Sequence, residues 1–556
     1  MSLNNFNIEQ FIALPHNVQS EPVIKVTDDD ETFGIIKLKM KKTKITKTPL
    51  FMLFTIDVTG SMSEIVFKST SKMDFLKQTF INMIRYLAKQ EIEVYIQINT
   101  FCDVVKKLVD ITLINPDNSI EMIDKIKDLY PEGGTNIGLA LETANTHMIE
   151  YKSNNKNHQF CHIFMSDGEP TVGEIIHEKL QRLVNTDYNN VFVGFGTSHN
   201  AQLFNLFAEL KKSEYYFVDN LENTGFVYGE IIHQFLYPAL LNTRLQVTDG
   251  MLYDWKTNQW VDKIETDIIV SECEKIYHFK TKVIDDFEVE LYGVNASFPD
   301  EQSISSDNVV MNSDEFVLLD ETTIMPDLID FDTGSIIDNN DLTKYIFRQR
   351  VQELLYIGKS KINDYQSDGN SEFENKLKNI FKLMRRYMKE NDLLDDNFMK
   401  MLCDDICILY KSLSSSLGYM YTSARSTSQG RQTSYNISSI KDDRNIFNRG
   451  VSLPKQIFKA KLNRAFAMNN QELIDIEDDD ETNHTVHFKQ GLPSEIGFNY
   501  LVDEYTNMVT NDNDIFVNSD SNIEDDLEYY IPTDNNTNCY STPTALKMMR
   551  SFSQNY

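Results

Sequence analysis

The chain has 556 residues, which at roughly 150 residues per domain predicts about three or four folded units with real cores and excludes a disulfide-stapled mini-protein. Its 84 acidic against 53 basic residues give a formal net charge of -31, a surface that repels phosphate and so argues against nucleic-acid or anionic-membrane partners. Hydrophobic residues at 41% and charged residues at 25% are ordinary for a soluble globular chain. The cysteines (Cys102, Cys161, Cys273, Cys403, Cys407, Cys539) show no CxxC pairing and are read as reduced. MSLNNFNIEQ lacks a basic start and an apolar core of leader length, and the longest apolar runs, such as PLFMLFTI, are too short to span a bilayer. The expectation is a soluble cytoplasmic protein, with oligomeric state left open.

Residues 1–20 read as a loose start. VIKV and FGIIKLKMK then alternate apolar and polar side chains across the acidic turn TDDDET, which predicts a β-hairpin over 21–47. Over 48–241 apolar runs (LFMLFTI, EVYIQINTF, FCHIFM, VFVGF, YYFV) alternate with amphipathic segments, the order of a doubly wound, mostly parallel, Rossmann-like α/β sheet. FCHIFM and VFVGF are apolar on both parities, as strands covered by helices on both faces must be. Residues 242–335 change to short alternating segments, predicting a small antiparallel β unit completed by the early hairpin. Residues 336–415 return to helical spacing, with Leu377, Ile380, Phe381, Met384 and Met388 on one stripe. The composition of 416–470, which includes SARSTSQGRQTSYN after Tyr421, predicts a polar connector with short helices, and 471–556 a largely disordered acidic tail closed by the short helix TPTALKMMRSF.

Three segments carry the chemistry. DVTGS supplies Asp57, Thr59 and Ser61; GGT supplies Thr135 after Gly133 and Gly134; SDGEP supplies Asp167 and Gly168. Each falls where a predicted parallel strand or its crossover loop reaches the carboxyl end of the sheet, the ligand-binding edge of such folds. Two carboxylates and three hydroxyls form an all-oxygen set suited to a hard divalent cation, Mg²⁺ before Mn²⁺ or Ca²⁺, whereas zinc prefers nitrogen and sulfur. The bland alternative is a strand-to-helix turn in which Thr59 and Ser61 cap the next helix.

The order DxTxS, then a mid-domain Thr, then Asp after FCHIFM resembles the metal-ion-dependent adhesion site of von Willebrand factor A domains, integrin inserted domains among them. The resemblance covers 49–241. It implies that Thr59, Ser61 and Thr135 present hydroxyls to a divalent ion, that Asp57 and Asp167 hold or replace metal-bound waters, and that one coordination position stays open for a Glu or Asp carboxylate of a partner protein. The family usually carries serine where Thr59 stands. The wider layout is similar to intracellular proteins of this family such as the wavy-growth ubiquitin ligases, but no Cys/His series with RING spacing occurs here. The expectation is therefore a non-enzymatic, metal-dependent protein-binding scaffold, the alternatives being a ubiquitin-system adaptor or a metal-dependent hydrolase.

Other signals are weaker. His484 and His487 (HTVH) form an isolated pair, and GFG at 194–196 lacks the third glycine of a dinucleotide loop and reads as a strand-end turn. No P-loop, HExxH or GxSxG occurs. Arg425 and Arg431 beside several serines offer a phosphorylation-controlled segment, against the plainer reading of a motif packed on helices. The basic patch at Lys547 and Arg550 is a candidate docking helix.

Overall fold

The computed structural model describes residues 6–12, 31–40, 42, 45–67, 69–218, 224–283, 287–296, 318–323, 339–363, 370–413, 417–432, 527, 530, 540 and 542–553. Two strands come first, β1 (Phe6–Ile12) and β2 (Thr32–Met40). They pair antiparallel from Phe6↔Met40 to Ile12↔Gly34. β2 thus has a partner from the stretch expected to be loose, while VIKV, the first arm of the hairpin expected over 21–47, lies outside the described residues. FNIEQFI alternates imperfectly, so its strand character is weak until β2 offers it a ladder.

The α/β part begins with β3 (Leu50–Asp57), all eight of whose residues are buried. Then come β4 (Ile65–Phe67), β5 (Thr70–Ser71), α1 (Lys72–Leu87), β6 (Val94–Phe101), β7 (Val105–Leu113), α2 (Pro116–Lys127), α3 (Ile137–Asn154), β8 (Gln159–Ser166), α4 (His177–Gln181), β9 (Asn189–Phe195), α5 (Ala201–Ala208), β10 (Ser213–Val218) and α6 (Thr224–Leu236). The six-stranded sheet has the order β10-β9-β8-β3-β6-β7. All its ladders are parallel except β6 with β7. From β3 the chain winds outward to β6 and β7, then returns to the opposite side of β3 with β8. The winding therefore reverses between β3 and β8, and a crevice opens at their carboxyl ends. Asp57 ends β3 and Asp167 follows β8.

Helix α1 starts where its sequence directs. Ser71 caps it and forms a reciprocal capping box with Asp74. Its inward face, including Phe75, Phe80, Met83 and Ile84, joins Phe54, Ile56 and Ile98 in the main core. Burying such side chains stabilises by about 1.5–3 kcal/mol each.

After α6 the chain turns directly into β11 (Pro238–Thr248), so the boundary expected at 241 lies within a strand of the next sheet. Next are β12 (Gly250–Asp254), β13 (Gln259–Val261), β14 (Lys263–Val270), β15 (Glu274–Thr281), β16 (Glu288–Asn295) and β17 (Leu318–Thr323). They form two sheets, β1-β2-β15-β12-β13 and β14-β11-β16-β17. β2 pairs with β15 over eight residue pairs, from Thr32↔Thr281 to Lys39↔Glu274, so the early strand does complete the β unit. Ile36, Leu38, Leu245, Val247, Phe279, Phe287 and Leu291 form its core.

The same compact unit takes in α7 (Asn339–Asn363), α10 (Gly418–Arg431) and the last helix, α11 (Pro543–Phe552). Helix α10 falls in the stretch expected to be a polar connector with short helices. Thr422, Ser423, Arg425, Ser426, Ser428 and Gln429 on it are buried. Polar side chains can be buried when each finds a partner. Arg348 donates to the Gln429 carbonyl, Gln352 Nε2 donates to the same oxygen at 3.1 Å, and Arg431 pairs with Glu214 at 2.9 Å. Arg425 and the neighbouring serines are thus interior groups, as the packed-motif alternative requires. Helix α11 buries Ala545, Met548, Met549 and Phe552. A Cβ on Gly229 of α6 would lie 2.6 Å from Met549 Cα, so that glycine is what lets the two backbones approach.

A second compact unit contains α8 (Asn370–Glu390) and α9 (Asn397–Ser412). Leu377, Phe381, Met384 and Met388 are buried with Leu402, Ile406 and Leu409, as the stripe predicts. Tyr530 packs its ring 4.9 Å from Phe381 and donates to Asp404 at 2.8 Å. His484 and His487 lie outside the described residues.

Candidate metal centre

At the carboxyl end of the central sheet, three segments distant in sequence join in one polar chain. The Thr59 amide donates to Asp57 Oδ1 at 2.8 Å, and Ser166 Oγ donates to Asp57 Oδ2 at 2.5 Å. Thr59 Oγ1 lies 2.9 Å from Ser61 Oγ, which donates to Asp167 Oδ1 at 2.6 Å. A Cβ placed on Gly168 would sit 3.6 Å from Thr135 Oγ1 and 3.9 Å from Ser61 Oγ, so the missing side chain leaves these hydroxyls facing one small space. All five expected residues therefore meet there. Asp57, Thr59, Thr135 and Asp167 are buried, and Ser61 is the exposed member.

The local backbone explains the convergence. Residues Gly60–Ser63 make one short 3-10 turn, and Thr59 makes no side-chain capping bond to it. The capping alternative fails for this reason: Ser71, twelve positions later than Thr59, is the cap of α1, and the Thr59 hydroxyl turns to Ser61. The glycine pair is held by Asp103, whose Oδ2 accepts from the Gly134 amide at 3.1 Å. Gly133 has φ +73°, and a Cβ there would meet the same carboxylate at 2.5 Å, so the position requires glycine. Thr135 is pinned on both sides of its backbone. Its amide donates to Thr171 Oγ1 at 2.8 Å, and its carbonyl accepts from Thr171 and Val172 amides at 2.9 and 3.1 Å.

Burial, then the charge of Asp167, push the Asp57 carboxyl up to about 6 against hydrogen bonds from Ser166 and Thr59. Two buried carboxylates with hydroxyl oxygens between them fit a hard divalent ion by donor type. Among the described residues no group of three or more His, Cys, Asp or Glu is arranged to hold a metal. A set of two carboxylates and three hydroxyls is a different pattern, with oxygen donors only.

The structure adds three residues that sequence reasoning missed. Ser166 fixes Asp57; Lys72, 3% exposed, reaches Asp167 Oδ2 at 2.8 Å; and Glu64 pairs with the same ammonium at 2.7 Å. Burial works to lower the Lys72 pKa, but the bonds to Asp167 and Glu64 outweigh it and hold the ammonium above the ordinary lysine value. Nothing local in the sequence links Lys72 to a carboxylate 95 positions away.

Residues 52–230 match the family model of the von Willebrand factor type A domain. The chain thus carries a von Willebrand factor A domain, a fold that generally mediates protein–protein interaction and commonly holds a divalent metal at its adhesion site. Two solved structures similar to this chain carry the same domain name. One is a von Willebrand factor type A protein from Catenulispora acidiphila, 14% identical, with 72% of this chain and 89% of that one covered and a TM-score of 0.46. Another is the ArnB paralog VWA2 from Sulfolobus acidocaldarius, 12% identical, with 73% and 97% covered and a TM-score of 0.42. A search of curated proteins gives no match. The likeness of layout to the wavy-growth ubiquitin ligases is not extended by any of these matches. Among the described residues no helix is long and apolar enough to cross a membrane.

Proposed function

We propose that this protein is a divalent-metal-dependent, non-enzymatic protein-binding scaffold. Asp57, Thr59, Ser61, Thr135 and Asp167 would hold the ion, with Mg²⁺ favoured, and the partner would contribute a Glu or Asp carboxylate. The supporting observation is the unbroken run of contacts from Asp57 through Thr59 and Ser61 to Asp167, with Thr135 Oγ1 facing the same space. When bound, such an ion supplies a Lewis-acidic position for an incoming carboxylate oxygen. The chain's own part is to hold neutral hydroxyls toward that position and to keep its two carboxylates tied back, Asp57 by Ser166 and Asp167 by Ser61.

A hydrolase reading would need a general base beside the ion. His199, which approaches Lys72 from the β9 side, has Nδ1 2.7 Å from the Gly196 carbonyl and Nε2 2.5 Å from the Tyr215 hydroxyl, so both nitrogens are engaged. The adaptor reading rests on layout alone.

The test is capture of partners by the full chain in Mg²⁺ against EDTA, repeated with Asp57→Ala and Thr135→Ala. Capture of a protein through an acidic residue should be lost on chelation and in both variants. Capture indifferent to all three changes contradicts the metal-bridged mechanism.

A further inference from the structure

Lys72 occupies a position that two physical effects disfavour. It is the first residue of α1, where the helix dipole repels a positive charge, and its side chain is buried. The fold nevertheless provides room for it. Gly196, at φ +76°, leaves a gap in which a Cβ would sit 3.3 Å from Lys72 Cε and 3.7 Å from Nζ. The ammonium spans Asp167 Oδ2 and Glu64 Oε2. The oxygens of Asp167 are thereby divided, Oδ1 to the hydroxyl run through Ser61 and Oδ2 to the lysine.

We propose that Lys72 is a resident cation that sets the charge of the metal site, keeping a bound divalent ion attractive to an anionic ligand. The proposal deepens the metal-dependent reading above and rests on it. Two ionised aspartates alone would cancel a divalent ion and leave a neutral centre with little pull on a carboxylate. The buried ammonium restores one positive charge. Glu64 offsets this only weakly, because its side chain is 58% exposed and solvent screens it. The same charge repels the entering ion, so the lysine costs metal affinity while it favours a carboxylate. Lys72 is thus a positioning and specificity residue, and its removal should move two affinities in opposite directions. A residue that merely held the loop in shape would weaken both.

The experiment is Mn²⁺ water-proton relaxation on the full chain, titrated with Mn²⁺ alone and then, at saturating Mn²⁺, with acetate, which displaces bound water. Lys72→Met should bind Mn²⁺ roughly tenfold more tightly and require roughly tenfold more acetate, the scale of one added charge at a few ångströms in a screened site. Lys72→Arg should behave as the wild type. Glu64→Gln, at an exposed side chain that puts folding at little risk, should shift both midpoints the other way by a smaller factor. If Lys72→Met weakens both, or if Glu64→Gln leaves both unchanged while the wild type binds Mn²⁺ and Asp57→Ala does not, the role of Lys72 is overturned and the metal reading survives. Equal Mn²⁺ relaxation in wild type and Asp57→Ala would overturn both.

Discussion

Strands β3 and β8 carry two buried polar clusters a few residues apart, and they behave in opposite ways. In the first, Thr55, His162 and Asn190 are almost wholly buried. His162 Nδ1 lies 3.3 Å from Asn190 Oδ1, and Nε2 lies 2.9 Å from Thr55 Oγ1. The Asn190 amide nitrogen donates to the carbonyls of Asn185 and Tyr188 at 2.7 and 3.1 Å, which fixes Oδ1 as the acceptor for His162. Burial pushes the His162 pKa down to about 4, so the cluster is neutral. In the second, two residues further along β3 and on the same face, Asp57 begins a charged cluster that runs through exposed Ser61 to Asp167. The first cluster spends its hydrogen bonds inside the protein and joins strands together. The second gathers two carboxylates and three hydroxyls around one space and has donor capacity to offer a cation. A buried polar group is therefore a site candidate when its remaining capacity and charge converge on one accessible point.

Acid should break this contrast most strongly. His162, His199 and His233 are each pushed by burial from 6.5 to about 4. The unfolded chain takes up their protons first, so their stabilising effect is complete above pH 6.5 and is lost as pH falls toward 4. The scale is on the order of 3 kcal/mol per histidine. Asp57 acts in the opposite sense, because its folded pKa is raised from 3.8 to about 6 and its stabilisation is present at low pH and lost as pH rises through that window. His147, His158 and His278 are pushed down by burial as well, so the histidines outweigh Asp57 and stability falls on acidification. Chemical denaturation at pH 7, 5.5 and 4.5 should show it, and a flat profile would contradict the neutral-histidine assignment.

Next in size, His162→Ala should cost about 2–4 kcal/mol by removing a buried ring and orphaning its partners. Mn²⁺ affinity of the folded fraction should stay within about twofold, since that cluster shares no residue with the proposed site. Thr135→Ala should do the reverse, lowering Mn²⁺ affinity by roughly tenfold or more while shifting the melting temperature little. Thr59→Ser should have the smallest effect. The hydroxyl remains and only a buried methyl is lost, so Mn²⁺ affinity should change less than about threefold and stability by about 0.5–1 kcal/mol, read by titration and denaturation.

Much of this was legible in the sequence for a physical reason. Central strands covered on both faces must be apolar on both parities, and LFMLFTI, FCHIFM and VFVGF show it. Edge strand β7, VKKLVDITL, has mainly exposed or half-exposed positions and lacks that mark, so it and the following α2 escaped sequence reasoning, although Asn115 and Pro116 form a good helix start. The five residues proposed for the site could be picked out because their types and order carry the expected chemistry locally. Ser166, Glu64 and Lys72 were not, because their roles arise only when β3, β8 and the start of α1 meet. The burial of helix α10 was illegible for a similar reason: its composition is polar, and only the folded structure supplies Arg348, Gln352 and Glu214 as partners.

The central claim is that Asp57, Thr59, Ser61, Thr135 and Asp167 form one divalent-cation site. Mn²⁺ titration followed by the electron paramagnetic resonance of free Mn²⁺, on the full wild-type chain and on folded Asp57→Ala, tests it most directly. The account predicts one wild-type site that Mg²⁺ displaces and that Asp57→Ala weakens by roughly 100-fold. Equal Mn²⁺ uptake by the two proteins, or none by the wild type, would contradict it.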